Sequence, residues 1–295
     1  MQKMGLSVLE NMVRKKITNK ELEFILYVAR FQNEYGVATG IYYKDVCEAA
    51  GLSYEGFYDC KNSLEKKGII SVEKRNYYDW DITILDNSFK GVENYGRGYV
   101  GLHCAMLRDE QFHSCRAGAK LLALLLYRDW KINVKRSHKL SFQILKDNFV
   151  RKYTELFGVS ARVIRSYLGE LKPFLDVYLE DGRKYFLTFK KSAVESDLRK
   201  YNYKNENDEL RYHDIETSCR RNRIYEKDEE TDHEFAKILS QHTPEISKSP
   251  FFDLSGIVTR SLEIINEQIR NPRRWKRRVN IPLIHKLLVE ELKAV

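Results

Sequence analysis

Residues 51–70 read GLSYEGFYDCKNSLEKKGII. The spacing predicts one amphipathic helix from Ser53 to Lys67. Ser53 can accept from the first turn, Phe57 and Leu64 fall on one stripe, and Gly68 closes the helix. Upstream, Thr18 can cap a helix with Leu22, Ile25, Leu26 and Ala29 at helical spacing, stopped by Gly36, and VATGIYY follows as an extended piece. Tyr43 to Ala50 forms a second helix with Val46, Cys47 and Ala50 on one face, and the turn Gly51-Leu52-Ser53 leads into the third. Downstream, IISVEKRN and WDITIL alternate apolar and polar residues around the polar turn NYYD, the signature of a hairpin.

A second copy of this pattern spans about residues 99–191. Its first helix runs from Ala117 to Trp130, and a basic loop, KINVKRSHK, leads to SFQILKDNFVRKYTELF, read as a helix capped by Ser141. The turn Gly158-Val159-Ser160 then repeats the earlier turn. Ile164 and Leu171 stand at the offsets from Ser160 that Phe57 and Leu64 hold from Ser53, and Pro173 ends the helix. DVYLEDGRKYFLTF adds a hairpin turning at Asp181-Gly182. The order helix, strand, helix, turn, helix, hairpin resembles the winged helix-turn-helix family, and the resemblance implies two DNA-binding units. The lead-in to the second, YVGLHCAMLRDEQFHSCRAGAKLLALLLYRD, is similar to that of a winged helix in plasmid or mobile-element replication initiators.

The expected fold class is α+β, mostly α, organised along the chain. An N-terminal helix (1–17) precedes a first winged-helix domain (18–90), a linker (91–98) and a second winged-helix domain (99–191). A charged flexible linker (192–250) and a C-terminal helical segment with a basic cluster (251–295) complete it. In that segment, Leu254 to Arg270 and Ile281 to Leu292 carry apolar stripes that can pack on the same chain or on a second copy. A homodimer through the N-terminal or C-terminal helices is therefore one expected partner.

Composition narrows the function classes. The chain has 295 residues, 43% hydrophobic and 32% charged, enough for real cores beneath a charged surface. Its longest apolar run, Ala117 to Tyr127, falls short of the ~18 residues a bilayer span needs. The N-terminus lacks a signal peptide's apolar core, so no membrane partner and a cytoplasmic location are expected. Five cysteines (Cys47, Cys60, Cys104, Cys115, Cys219) without a CxxC pair read as reduced thiols. A net charge of +9 favours a polyanionic partner.

Double-stranded DNA is the expected partner, bound in sequence-specific fashion by a transcriptional regulator. A replication initiator binding origin repeats is the alternative, and a protein-partner adaptor the second. On the second copy of the third helix, Arg162, Arg165 and Ser166 face outward, where a guanidinium can fork onto guanine or phosphate. On the first, Tyr54, Tyr58, Lys61 and Asn62 face outward, but Glu55 and Asp59 beside them repel phosphate. The hairpins add Lys74, Arg75 and Tyr77, then Arg183 and Lys184. NPRRWKRRVN brings Arg273, Arg274, Lys276, Arg277 and Arg278 around Trp275.

Three motifs resemble catalytic or metal chemistry without its context. GRGYVG, from Gly96 to Gly101, matches the dinucleotide fingerprint in letters but follows a loop rather than a strand. His103, Cys104, His113 and Cys115 lack the paired spacing of structural zinc. His113 and Arg116 match the HxxR of tyrosine recombinases, with Tyr153 downstream, but such an enzyme needs a further arginine and a lysine converging on one phosphate, and the segment after Arg116 is better explained as the first helix of the second copy. No enzyme, cofactor or metal is expected.

Overall fold

The computed structural model describes residues 2–75, 79–90, 98–194, 203–246, 252–269 and 276–293. The chain is α+β and mostly helical, with small antiparallel sheets, and divides into two units, residues 1–201 and 202–295. Among the described residues no helix is long and apolar enough to cross a membrane.

The first unit contains two modules of one topology. In the first, Thr18 opens α2 (Asn19–Val28) with a reciprocal cap. The Glu21 N–H donates to Thr18 Oγ1 at 3.3 Å, and the Thr18 N–H donates to Glu21 Oε2 at 2.5 Å. Lys67, at the far end of α4 (Tyr54–Lys66), donates to the same carboxylate at 2.7 Å. Burial raises the Glu21 carboxyl, yet the bonds from Lys67, Ser63 and Thr18 hold it below its ordinary value.

Between α2 and α4 lie β2 (Val37–Tyr42) and α3 (Tyr43–Ala50), and after α4 come β3 (Ile70–Lys74) and β4 (Asp79–Ile84). The sheet order is β2-β4-β3, so the last strand inserts between the other two. Phe57 is fully buried at the centre of this module, with Phe24 and Trp80 at 5.5 and 5.2 Å. Two glycines are needed for backbone reasons: Gly51 and Gly68 sit at φ +60 and +64, on either side of α4. Gly36 does not stop α2. That helix ends at Val28, where i→i−3 bonds tighten its last turn, and Gly36 serves the turn into β2.

The second module starts at β5 (Tyr99–Gly101), passes through α5 (Glu110–Ser114), and continues with α6 (Ala117–Ser137), β6 (Phe142–Leu145), α7 (Lys146–Phe157), α8 (Ala161–Glu170), β7 (Leu175–Glu180), β8 (Lys184–Phe189) and the short α9 (Lys191–Val194). Its sheet order is β6-β8-β7, the same insertion as in the first module. The helix expected from Ser141 begins only at Lys146. Phe142–Leu145 instead pairs antiparallel with β8, Phe142 opposite Leu187, and so supplies the third strand of the sheet. Asp181 and Gly182 turn the hairpin at φ +47 and +68, as the sequence anticipates.

One core runs through both modules because α6 is buried on every side from Ala119 to Tyr127. The N-terminal helix α1 (Leu6–Arg14) buries Val8, Leu9, Met12 and Val13 and packs on α6 and α7. The strand before it, β1 (Lys3–Gly5), pairs with β5. Asn87 and Gln32, both fully buried, tie that strand to the first module. The Gly5 N–H donates to Asn87 Oδ1 at 2.7 Å, and Asn87 Nδ2 donates to Gln32 Oε1 at 2.6 Å. The apolar face expected to pair with a second copy is thus consumed within the chain.

In the described residues 203–246 of the second unit, helices stand where a flexible linker is expected over 192–250. There α10 (Tyr203–Arg221), α11 (Glu229–Gln241) and the short α12 (Thr243–Ile246) join α13 (Leu254–Gln268) and α14 (Ile281–Lys293) around a core that includes Ile215, Cys219, Phe235, Leu239, Val258 and Leu288. The acidic run explains itself as a helix start. Asp228 caps α11, with Thr231 N–H donating to Oδ1 at 2.7 Å, and Glu229, Glu230 and Asp232 fill the first turn, where the helix dipole favours negative charge. The C-terminal apolar stripes close this core, so they too are spent inside the chain.

Candidate nucleic-acid interface

The third helix of the second module, α8, is set by its buried side. Gly158 turns the chain at φ +61, and Ile164, Leu168 and Leu171 point into the core. That leaves Arg162, Arg165, Ser166 and Gly169 exposed, and the first three are the outward residues read from the sequence. Arg162 and Arg165 carry no side-chain ion pair or hydrogen bond among the described residues, so both guanidinium forks are open. The hairpin adds Arg183 and Lys184, both exposed. Its turn is fastened to the start of α7 by the Lys146 N–H, which donates to the Arg183 carbonyl at 2.8 Å.

Ser166 is not free. Arg116, just before α6, reaches across to it with Nη2 to Ser166 Oγ at 2.5 Å, and forks onto Glu170 with Nε at 2.5 Å. Its backbone N–H donates to Glu170 Oε2 at 3.0 Å, and its guanidinium lies 4.9 Å over the Tyr167 ring. Glu170 holds the Arg116 guanidinium above its ordinary pKa. Arg116 therefore bolts α8 to α6 and neutralises the one carboxylate on that stretch of α8. Gly118 makes the close approach possible: a Cβ there would stand 2.4 Å from Tyr167. Nothing local in the sequence announces the pair, because its members are 54 residues apart.

The first module carries the opposite chemistry. Of the four residues read as outward on α4, Tyr54 and Asn62 are exposed, whereas Tyr58 and Lys61 are half-buried and Tyr58 packs against the core; Lys61 donates to Asn62 Oδ1 at 2.7 Å and the two tyrosine hydroxyls are 3.2 Å apart. Arg75 is held by Asp81 at 2.7 Å and Glu73 at 2.9 Å, so its charge is spent within the hairpin. Lys74 is exposed beside it, while Tyr77 lies outside the described residues.

The C-terminal cluster is partly accounted for. Arg273, Arg274 and Trp275 lie outside the described residues. Lys276 pairs with Glu226 at 2.5 Å and Arg278 approaches the same carboxylate at 4.0 Å. Arg277 donates to the Asn222 carbonyl at 2.9 Å, a structural bond just past the end of α10.

The motifs that resembled chemistry have other occupations. Gly98, at φ +93, leaves room for Arg128, since a Cβ would meet its Nη2 at 2.6 Å. Gly96 and Arg97 are outside the described residues. Burial pushes the Cys104 thiol up to about 11. Among the described residues no three His, Cys, Asp or Glu side chains gather as a metal would need. Tyr153 is 1% exposed and its hydroxyl faces Asp129 at 3.5 Å, while Arg116 is committed to α8.

His113 and Lys120 belong instead to the junction of the modules. Lys120 is fully buried on α6. It bonds Glu23 of α2 and donates to the His113 carbonyl at 2.7 Å, while His113 Nδ1 sits 2.9 Å from the other Glu23 oxygen. A scan of protein-family models returns no match for this chain, and neither do searches of curated proteins and of solved structures.

Proposed function

We propose that the two modules are winged helices and that the chain is a sequence-specific double-stranded DNA-binding protein acting as a transcriptional regulator. The second module is its reading head. The observation that carries this reading is the pair of unpartnered guanidinium groups, Arg162 and Arg165, on the outward face of α8. Each can fork onto a guanine edge in the major groove, while Arg183 and Lys184 on the hairpin take phosphate and fix the register. The sheet order, with the last strand inserted beside the first, supports the winged-helix reading in both modules.

Binding to genomic fragments across a salt series tests the proposal. A specific site outcompetes bulk DNA, affinity falls steeply with salt, and Arg162→Ala with Arg165→Ala removes sequence preference at about 1–3 kcal/mol per lost base contact. Affinity indifferent to salt, or loss of binding only on neutralising residues 276–278, refutes it. Initiation at origin repeats uses the same surface. The Lys120–Glu23 junction favours it as a second reading, because modules locked together suit adjacent repeats of fixed spacing. Support of plasmid replication by the chain separates the two.

A further inference from the structure

Four tyrosines and a tryptophan form a continuous ladder at the start of α4. Tyr42 meets Tyr43 at 5.0 Å, Tyr43 meets Tyr54 edge-on at 5.2 Å, Tyr54 meets Tyr58 at 4.8 Å, and Tyr58 leans on the buried Trp80 at 5.7 Å. Tyr54, at the outer end of α4, is 57% exposed. On the same helix Glu55 and Asp59 are exposed and carry no ion pair or side-chain hydrogen bond among the described residues. Rings already packed on one another have little rotamer freedom left to lose, so the ladder is a preformed platform.

A tyrosine platform can stack unpaired bases or hold a peptide, and the charges decide between them. Every stacked base brings a phosphate, which Glu55 and Asp59 repel; of the cations read as DNA contacts in this module, Lys61 already donates to Asn62 and Arg75 is neutralised by Asp81 and Glu73. A guanidinium gains from both features at once: it is attracted to the ring face and forks onto a carboxylate.

We propose that this face of the first module, Tyr43, Tyr54 and Tyr58 with Glu55 and Asp59, docks an arginine-bearing segment of a partner protein. The guanidinium rests on Tyr54 and pairs with Glu55 or Asp59. The inference does not depend on the DNA reading, which concerns the other module.

Fluorescence anisotropy on the full chain tests it, with a labelled peptide of alternating arginine and alanine as probe. A version with citrulline for arginine keeps the shape and removes the charge. The arginine peptide binds at least about tenfold more tightly than the citrulline one, and Glu55→Gln with Asp59→Asn removes that advantage. Tyr54→Ala weakens binding about fivefold or more, whereas Tyr54→Phe and Arg162→Ala with Arg165→Ala leave it unchanged. Equal binding by the Glu55→Gln, Asp59→Asn variant overturns the proposal. So does a labelled single-stranded oligonucleotide whose binding, unlike the peptide's, is lost in Tyr54→Ala, because the ladder then stacks bases.

Discussion

Helices α4 and α8 occupy the same place in two copies of one topology, yet they present opposite surfaces. Two residues after the starting serine, α4 has Glu55 where α8 has Arg162; five residues after it, α4 has Tyr58 where α8 has Arg165. The inward positions do not differ in kind: Phe57 and Ile164 are both fully buried, as are Leu64 and Leu171 to within 1%. Burial fixes the frame and is blind to what the outward positions carry. A shared topology therefore says that a helix is displayed, and the outward residues decide what it meets.

The largest predicted effect breaks the frame that makes the comparison possible. Lys120→Met keeps the volume of a fully buried side chain but strips Glu23 of a fully buried cation, leaving only His113 among the described residues. Breaking a buried pair this way costs about 3–5 kcal/mol, here toward the low end because His113 remains, and urea unfolding measures it. A change below about 1 kcal/mol means the junction does not hold the modules together.

The same junction has a pH signature. The bond to Glu23 raises His113 above its ordinary 6.5, against the lowering effect of burial, so its contribution is complete below that value and is lost as pH rises through the folded pKa. Burial raises Glu23, but His113 and Lys120 hold it below 4.5, so its contribution is present above 4.5 and is lost as pH falls through the folded pKa. The junction is tightest between these limits, and His113→Gln flattens the alkaline limb of the urea midpoint against pH.

Exchanging the outward charges tests the comparison itself. Arg162→Glu gives α8 the polarity of α4 and removes sequence preference on DNA, a loss of about 1–3 kcal/mol in discrimination. Glu55→Arg with Asp59→Arg raises affinity for all DNA and steepens the log–log salt slope by up to about 2, without creating a preferred site. A new preferred site in the second variant would show that α4 already lies in a groove, and that the modules differ less than their surfaces suggest.

Local signals made most of the frame legible. The Thr18 cap, the left-handed glycines at 51, 68 and 158, and the Asp181-Gly182 turn all act over a few residues, and each sits where its residue type requires. Strand β6 was not legible, since Phe142 and Leu145 also fit a helical stripe and only its pairing with β8 decides between them. Helix α10 hides for a related reason: Ile215 and Cys219 are buried with the small polar residues Thr217 and Ser218, a strip too polar to read as a core face. The candidate site divides the same way. Helical periodicity exposes Arg162 and Arg165, whereas Arg116 and the spent charge of Arg75 depend on partners brought in by folding.

The smallest predicted effect separates two serines that look identical in sequence. Ser53 and Ser160 start α4 and α8 with nearly the same extended backbone, φ −75, ψ 168 and φ −71, ψ 157. The Ser53 hydroxyl accepts from the Gly56 N–H at 3.1 Å. Ser160 uses only its carbonyl, which takes the Val163 and Ile164 N–H groups at 3.0 and 3.2 Å, and its hydroxyl caps nothing. Ser53→Ala then leaves a helix donor unmet and costs about 1 kcal/mol, while Ser160→Ala stays within about 0.5 kcal/mol. Thermal melting of the two variants reads the difference directly. Equal losses would mean that both hydroxyls cap in solution and that α8 starts as firmly as α4. If only Ser53 matters, α8 is held at its other end, by Arg116 and Glu170, and the face bearing Arg162 and Arg165 is anchored from the side that the first module leaves to Lys67 and Glu21.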